Sequence, residues 1–154
     1  LNEYFSAMVQ VLFRHHGTLD KFVGDMVMGL FGAPVADPHH ADHAVAAALD
    51  MLRELERLNA AWAAQGRPAM EIGIGINSGE MIAGNIGSDT VMSYTVIGDA
   101  VNVASRLCSN AKGSEILISD PLYQVLKQKP PVEARDPLSV KNRAQAVPVW
   151  RVKV

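Results

Sequence analysis

The sequence predicts an α+β domain in which helices pack against a sheet. Three observations carry this: two long segments with apolar residues at helical spacing, several short β-branched runs bounded by glycine and aspartate, and the mixing of both kinds along one chain. With 154 residues, 49% apolar and 19% charged, the chain can bury a substantial core but leaves little room for a second full domain.

Leu1, Phe5, Met8, Val9 and Leu12 form a helical stripe, so a first helix is expected from Leu1 to His16, with Gly17 as its left-handed stop. The chain enters this pattern at Leu1, which suggests a segment cut from something longer. Leu19 to Phe31 reads as two short strands around Gly24-Asp25, a dipeptide suited to a tight hairpin. Asp37-Pro38 offers a cap and a first-turn proline for a long second helix. Val45, Leu49, Leu52, Leu55, Leu58 and Trp62 lie along it, and it ends near Gly66. Ile72, Ile74 and Ile76 alternate with Gly73 and Gly75, a strand with one methyl-rich face and one face open to close approach. Gly79, Gly84 and Gly87 punctuate the next stretch of chain. Tyr94 to Ile97 is a short strand that meets Gly98-Asp99, and Asp99 is placed to cap a helix running to about Ala111. On that helix Val101, Ala104, Cys108 and Ala111 share one face, and Asn102 and Arg106 share another. A strand from Glu115 to Ile118 precedes Asp120-Pro121 and a short helix through Val125 and Leu126. Val140, then Val147, Val149 and Val152, suggest a closing hairpin. After the first helix the expected order is β-β-α-β-β-α-β-α-β-β.

The 14 basic and 16 acidic residues leave a formal charge of -2, which gives no electrostatic reason to expect a nucleic-acid or membrane surface. The lone Cys108 excludes an internal disulfide and suits a reducing compartment as a small core-filling thiol. No apolar run approaches the roughly 20 residues of a membrane span, and the N-terminus lacks a signal-peptide layout. A cytoplasmic location is therefore expected, in a parent protein that can still be membrane-anchored.

Gly73-x-Gly75 is followed by Ser78, so the three-glycine dinucleotide fingerprint is incomplete, and the P-loop pattern does not occur. Lys21 and Asp25 place a cation and an anion near one strand tip, where a carboxylate can hold a hard divalent ion. Read alone, they describe a solvent-exposed charged turn far more readily than a metal site. Asn102 and Arg106 project an amide and a guanidinium together, and read alone they equally describe a solvated helix face. His39, His40 and His43 cluster at a helix start without a cysteine or a third placed ligand, so a solvated cluster outweighs a zinc site. His15 and His16 read as the charged end of a helix, and Met26 and Met28 as core.

Taken together, three stretches resemble successive signatures of class III adenylate/guanylate cyclase catalytic domains, of the bacterial adenylate cyclase type. They are Leu19-Asp20-Lys21-Phe22-Val23-Gly24-Asp25, Ile72-Gly73-Ile74-Gly75-Ile76-Asn77-Ser78-Gly79, and Tyr94-Thr95-Val96-Ile97-Gly98-Asp99-Ala100-Val101-Asn102-Val103-Ala104-Ser105-Arg106-Leu107. The resemblance continues through Gly113 to Ser119 and reaches Val140-Lys141. It implies a ferredoxin-like (βαββαβ) core with additional helices and a C-terminal hairpin, residues 1–154 forming the catalytic domain without the usual N-terminal strand that bears the first metal aspartate. It further implies a homodimer with active sites at the interface, ATP as substrate, two divalent cations (Mg²⁺ or Mn²⁺), and an upstream sensor or regulatory domain.

Residue by residue, the resemblance assigns metal binding to Asp25 and base reading to Lys21 and Thr95. Lysine can donate to the adenine N1 and threonine can accept from the exocyclic amine, and guanylate cyclases typically carry an acidic residue and a cysteine at these positions. Asn102 matches the residue that orients the ribose, Arg106 the one that stabilises charge on the α-phosphate, and Lys141 the one that grips the terminal phosphates. The family commonly follows that lysine with Gly-Lys, where this chain has Asn142-Arg143. A non-catalytic nucleotide-binding or dimerisation module is the competing reading. A diguanylate cyclase hairpin reads Gly-Gly-Asp/Glu-Glu-Phe, which Val23-Gly24-Asp25-Met26-Val27 does not.

Overall fold

A computed structural model describes residues 2–33, 35–79, 82–87, 92–139 and 145–154. Among the described residues, four helices and eight strands succeed one another as α1 (Asn2–Arg14), β1 (Thr18–Val23), β2 (Met26–Leu30), α2 (His40–Ala64), β3 (Ile74–Ile76), β4 (Ile82–Gly87), β5 (Met92–Ile97), α3 (Asp99–Asn110), β6 (Ile116–Ser119), α4 (Asp120–Val125), β7 (Val132–Leu138) and β8 (Val147–Val152). The chain divides into two compact units, Leu1–Glu71 with Ala83–Val96, and Ile72–Ile82 with Ile97–Val154.

In the first unit α1 packs on α2 and on the β1–β2 hairpin. Buried residues of this unit include Met8, Val11 and Leu12 of α1 and an alanine-rich stripe of α2, Ala41, Ala44, Ala47 and Ala48, continued by Leu52 and Leu55. Small side chains let the helix backbones approach, and the long ones fill the space between them. Polar contacts close the far end: the Trp62 indole donates to Glu3 Oε2 (3.1 Å) and Arg67 donates to Glu3 Oε1 (3.0 Å), tying the start of α1 to the end of α2. The residue in left-handed geometry after α1 is His16 (φ 67°), not the expected Gly17. Gly17 is required for space instead, since a Cβ there would lie 2.6 Å from the Phe31 ring, and its amide donates to Leu12 O. Helix α2 begins later than Asp37-Pro38 suggested. Asp37 works from outside it, where its Oδ1 accepts from the His39 amide (2.8 Å) and its carbonyl from the His40 amide (3.1 Å).

The hairpin pairs β1 and β2 antiparallel, with Val23 opposite Met26 across the two-residue turn Gly24-Asp25. Gly24 takes φ +61° with nothing within 4 Å of where a Cβ would be, so glycine serves the turn's backbone here and not its packing. β4 and β5 form a further two-stranded pair. β4 was not expected from the sequence, because Gly84 and Gly87 read as punctuation where the tertiary structure uses them inside a strand.

The second unit is a four-stranded sheet in the order β3-β6-β8-β7, with β3 and β6 parallel and the other neighbours antiparallel. Ile116, Leu117, Ile118 and Ser119 of β6 are all buried, as an interior strand covered on both faces requires. Val103 and Leu107 of α3 join Leu117, Leu138, Val147 and Val149 in one apolar cluster. The buried face of α3 is therefore Ala100, Val103 and Leu107, while Val101, Ala104 and Cys108 are half-buried, a rotation from the face expected. The reason lies in β3: a Cβ on Gly73 would press on Ala111, and one on Gly75 would overlap the Cys108 amide and the Ala104 carbonyl, so the glycines bring α3 directly onto the strand. β3 is limited to Ile74–Ile76, with Ile72 outside it and its carbonyl accepting from the Ser114 amide. The closing hairpin has Val132–Leu138 as its first strand, while Val140 lies outside the described residues. Charges and Pro137 hide that strand from a hydrophobicity pattern. Among the described residues no helix is long and apolar enough to cross a membrane.

Candidate functional site

The β1–β2 hairpin carries the first group of candidate residues. The register slips between Leu19, opposite Gly29, and Lys21, opposite Met28, so Asp20 is an extra residue on β1. A bulge of this kind bends the strand and re-aims the side chains beyond it. The Asp20 side chain is buried, with its Oδ2 3.6 Å from Lys21 Nζ, while Lys21 and Asp25 are exposed. Beside them Phe22 and Val23 remain 45% and 50% exposed, an apolar rim to a charged tip, and the Phe22 ring rests on Phe5 at 4.5 Å.

Asp25 presents one exposed carboxylate, a hard oxygen donor. Mg²⁺ in nucleotide sites takes one or two carboxylates and completes its shell with water and phosphate oxygens, so this residue fits one ligand position of a nucleotide-borne cation. Among the described residues no group of three histidine, cysteine, aspartate or glutamate side chains is arranged to hold a metal by itself. The histidines have other engagements. His43 Nδ1 donates to Asp37 Oδ2 (2.6 Å), its ring lies 4.6 Å from His16 and 6.0 Å from His39, and His15 Nε2 lies 2.8 Å from Asp50 Oδ2. The amide of His39, the Asp37 carboxylate's main partner, and the ring of His43 hold that carboxyl below the usual aspartate range.

Helix α3 carries the second group. Asn102 and Arg106, one turn apart, are exposed on the side away from the buried Ala100, Val103 and Leu107. The helix start differs from the expectation that Asp99 caps it. Gly98 is the N-cap, with φ 139° and no side-chain cap, and Asp99 is the first helical residue, where a carboxylate still favours the positive end of the helix dipole. Cys108 is half-buried on this same helix, its thiol donating to the Gly73 carbonyl at 3.5 Å.

Lys21 and Asp25 thus share one hairpin in the first unit, and Asn102 and Arg106 one helix in the second. Thr95 lies on β5, and Lys141 is outside the described residues. Sequence reasoning assigned no role to Asn77 or Ser119. Asn77 Nδ2 donates to Ala100 O (3.0 Å), and Ser119 Oγ donates to Asn77 Oδ1 (2.5 Å). The available signal was an amide residue directly after the strand that α3 lies on.

Residues 1–152 match the family model described as the adenylate and guanylate cyclase catalytic domain. Adenylate cyclase 1 of Rhizobium meliloti is 36% identical over 154 residues, 99% of this chain and 23% of that protein, so the chain spans about a quarter of that relative's length. Among solved structures, the adenylyl cyclase CyaB from P. aeruginosa superposes with a TM-score of 0.92 at 38% identity, covering 99% of this chain and 80% of that one. The guanylyl cyclase Cya2 also gives a TM-score of 0.92, at 36% identity, covering 99% of this chain and 77% of that one.

Proposed function

The chain belongs to the adenylate and guanylate cyclase catalytic domain family, and from that premise we propose that it converts ATP to 3′,5′-cyclic AMP and pyrophosphate in intracellular signalling, working as a homodimer with its sites at the interface. Solved relatives of both base preferences superpose equally well, so the fold carries no choice between adenine and guanine. That choice rests on the edge chemistry of Lys21 and Thr95. Adenine N1 is an acceptor and its exocyclic amine a donor, and guanine presents the reverse at those atoms. An ammonium at Lys21 donates to adenine N1, and the Thr95 hydroxyl accepts from the amine.

The observation that carries the reading is the pair Asn102 and Arg106, both exposed one turn apart on a helix whose opposite face is sealed into the core. Asn102 orients the ribose, and Arg106 meets the charge that grows on the α-phosphate oxygens as the 3′-oxygen attacks. The new bond joins the 3′-oxygen to the α-phosphorus, the bond to the β-phosphate bridging oxygen breaks, pyrophosphate leaves, and the hydroxyl proton passes to solvent. Lys141 holds the terminal phosphates, and Asp25 binds a cation. When bound, Mg²⁺ or Mn²⁺ supplies charge neutralisation at the phosphates and a lower pKa for the 3′-hydroxyl.

The full-length protein incubated with Mn²⁺ and either ATP or GTP, with identification of the product, tests both the activity and the base. Cyclic AMP from ATP in excess over cyclic GTP from GTP is expected. Arg106→Ala should lower kcat about a hundredfold or more while changing KM less, the mark of a group acting in the transition state. A raised KM with kcat unchanged removes Arg106 from that role.

A further inference from the structure

Helix α3 bears two residues of the proposed chemistry, and its N-cap is Gly98, a residue with no side chain to accept from the first-turn amides. The neighbouring α4 is conventional by comparison, with Ser119 Oγ accepting from the Leu122 amide at 3.2 Å. The start of α3 is also bonded to the end of β3. Asn77, the residue directly after β3, donates from Nδ2 to Ala100 O (3.0 Å) and accepts at Oδ1 from Ser119 Oγ (2.5 Å). Ser119 is completely buried.

The hydrogen placement comes from the chemistry of the partners. A carbonyl only accepts, so the NH₂ end of Asn77 must face Ala100. A backbone amide only donates, so the Ser119 hydroxyl proton is left for the Asn77 carbonyl. One orientation satisfies all three of these bonds, and they meet at the fully buried Ser119, where an unmet partner costs most. This chain of bonds joins the end of β3, the first turn of α3 and the cap of α4. Gly79 lets the chain after β3 pass close to this turn, since a Cβ there would lie 3.1 Å from the Ala100 methyl. Ala100 sits two residues before Asn102 and six before Arg106 on a rigid helix, so whatever locates Ala100 locates both.

We propose that Asn77 is a positioning residue for cyclisation: its carboxamide sets where the first turn of α3 begins, and through it where Asn102 and Arg106 meet the nucleotide. This rests on the proposed roles of those two residues in the cyclase reaction. A misplacement of about 1 Å in such a group can cost about a hundredfold in rate without removing any contact used for ground-state binding.

The test is a double-mutant cycle in the full-length protein. Asn77→Asp turns a carboxylate oxygen toward the Ala100 carbonyl, and Asn77→Ala removes both bonds without adding charge, which keeps the test available should the aspartate variant unfold at the assay temperature. Each is measured alone and combined with Arg106→Ala. The expected result is a fall in kcat of about ten- to a hundredfold with KM within about threefold in the native background, and a loss at least about threefold smaller when Arg106 is already gone, the remainder acting through Asn102. An equal loss in both backgrounds overturns the positioning role and leaves the cyclase reading standing. An Arg106→Ala variant with undiminished kcat overturns the positioning role and leaves the cyclase reading standing, whereas a parent protein that forms no cyclic nucleotide overturns both.

Discussion

Lys21 is the side chain on which base choice turns, and its setting is local: a bulge at Asp20 on one side, the Gly24-Asp25 turn on the other, and exposure between them. Replacing the ammonium with a carboxylate reverses the polarity presented to the base. Lys21→Glu combined with Thr95→Cys should lower kcat/KM for ATP by about tenfold or more and raise the GTP-to-ATP ratio, since an edge contact left unmade costs about 1–3 kcal/mol. Kinetics with both nucleotides check this, and an unchanged ratio removes Lys21 from base recognition. Lys21 and Asp25 were legible as candidates because the turn that displays them is written in adjacent residues. Asn77 was not, because its partners Ala100 and Ser119 lie 23 and 42 residues away and nothing near it in the chain announces them.

Among the elements, α3 on β3 shows how glycine spacing becomes geometry. The alternation of Ile72, Ile74 and Ile76 with Gly73 and Gly75 pointed to a face open to close approach, and α3 is what occupies it, with backbone atoms of Ala104 and Cys108 against Gly75. Gly75→Ala should therefore destabilise the protein by about 1–3 kcal/mol or more and lower its Tm, because the new methyl meets backbone that cannot rotate away. Thermal unfolding checks this, and a Tm equal to the parent's would mean that α3 does not lie as closely as described. Gly24→Ala meets no atoms but takes an L-residue to φ +61°, so its cost is conformational. The helices with strong periodicity were legible to within a few residues. β4 and β7 were not, since glycine, proline and charge obscure a strand whose pairing is set by its neighbours.

For the whole molecule, acid sensitivity arises from carboxylates that hydrogen-bonded partners hold below their ordinary values, Asp50 and Glu115 among them. Hydrogen bonds from His15 and Arg14 hold the Asp50 carboxyl below its ordinary value, and those from Arg135 and the Lys112 amide do the same for Glu115. A folded-state pKa below the unfolded one contributes stability that is present above the unfolded carboxylate range and is lost as pH falls through the folded value. The Tm should accordingly fall as pH drops below about 4, and Glu115→Gln should flatten that fall while lowering the Tm at neutral pH. A parent and variant with parallel profiles would show that Glu115 is not linked to folding. What the sequence determined by itself was whatever a dozen neighbouring residues can encode: the helical stripes, the Gly-Asp turn, the mixed α+β class, and the ordered motifs that resemble one enzyme family. What the tertiary structure alone decided was the buried face of α3, whether a given glycine serves space or backbone torsion, and the Asn77–Ser119 bonds that hold the helix start. These depend on contacts between segments far apart in the chain, whose partners exist only once the sheet has brought them together.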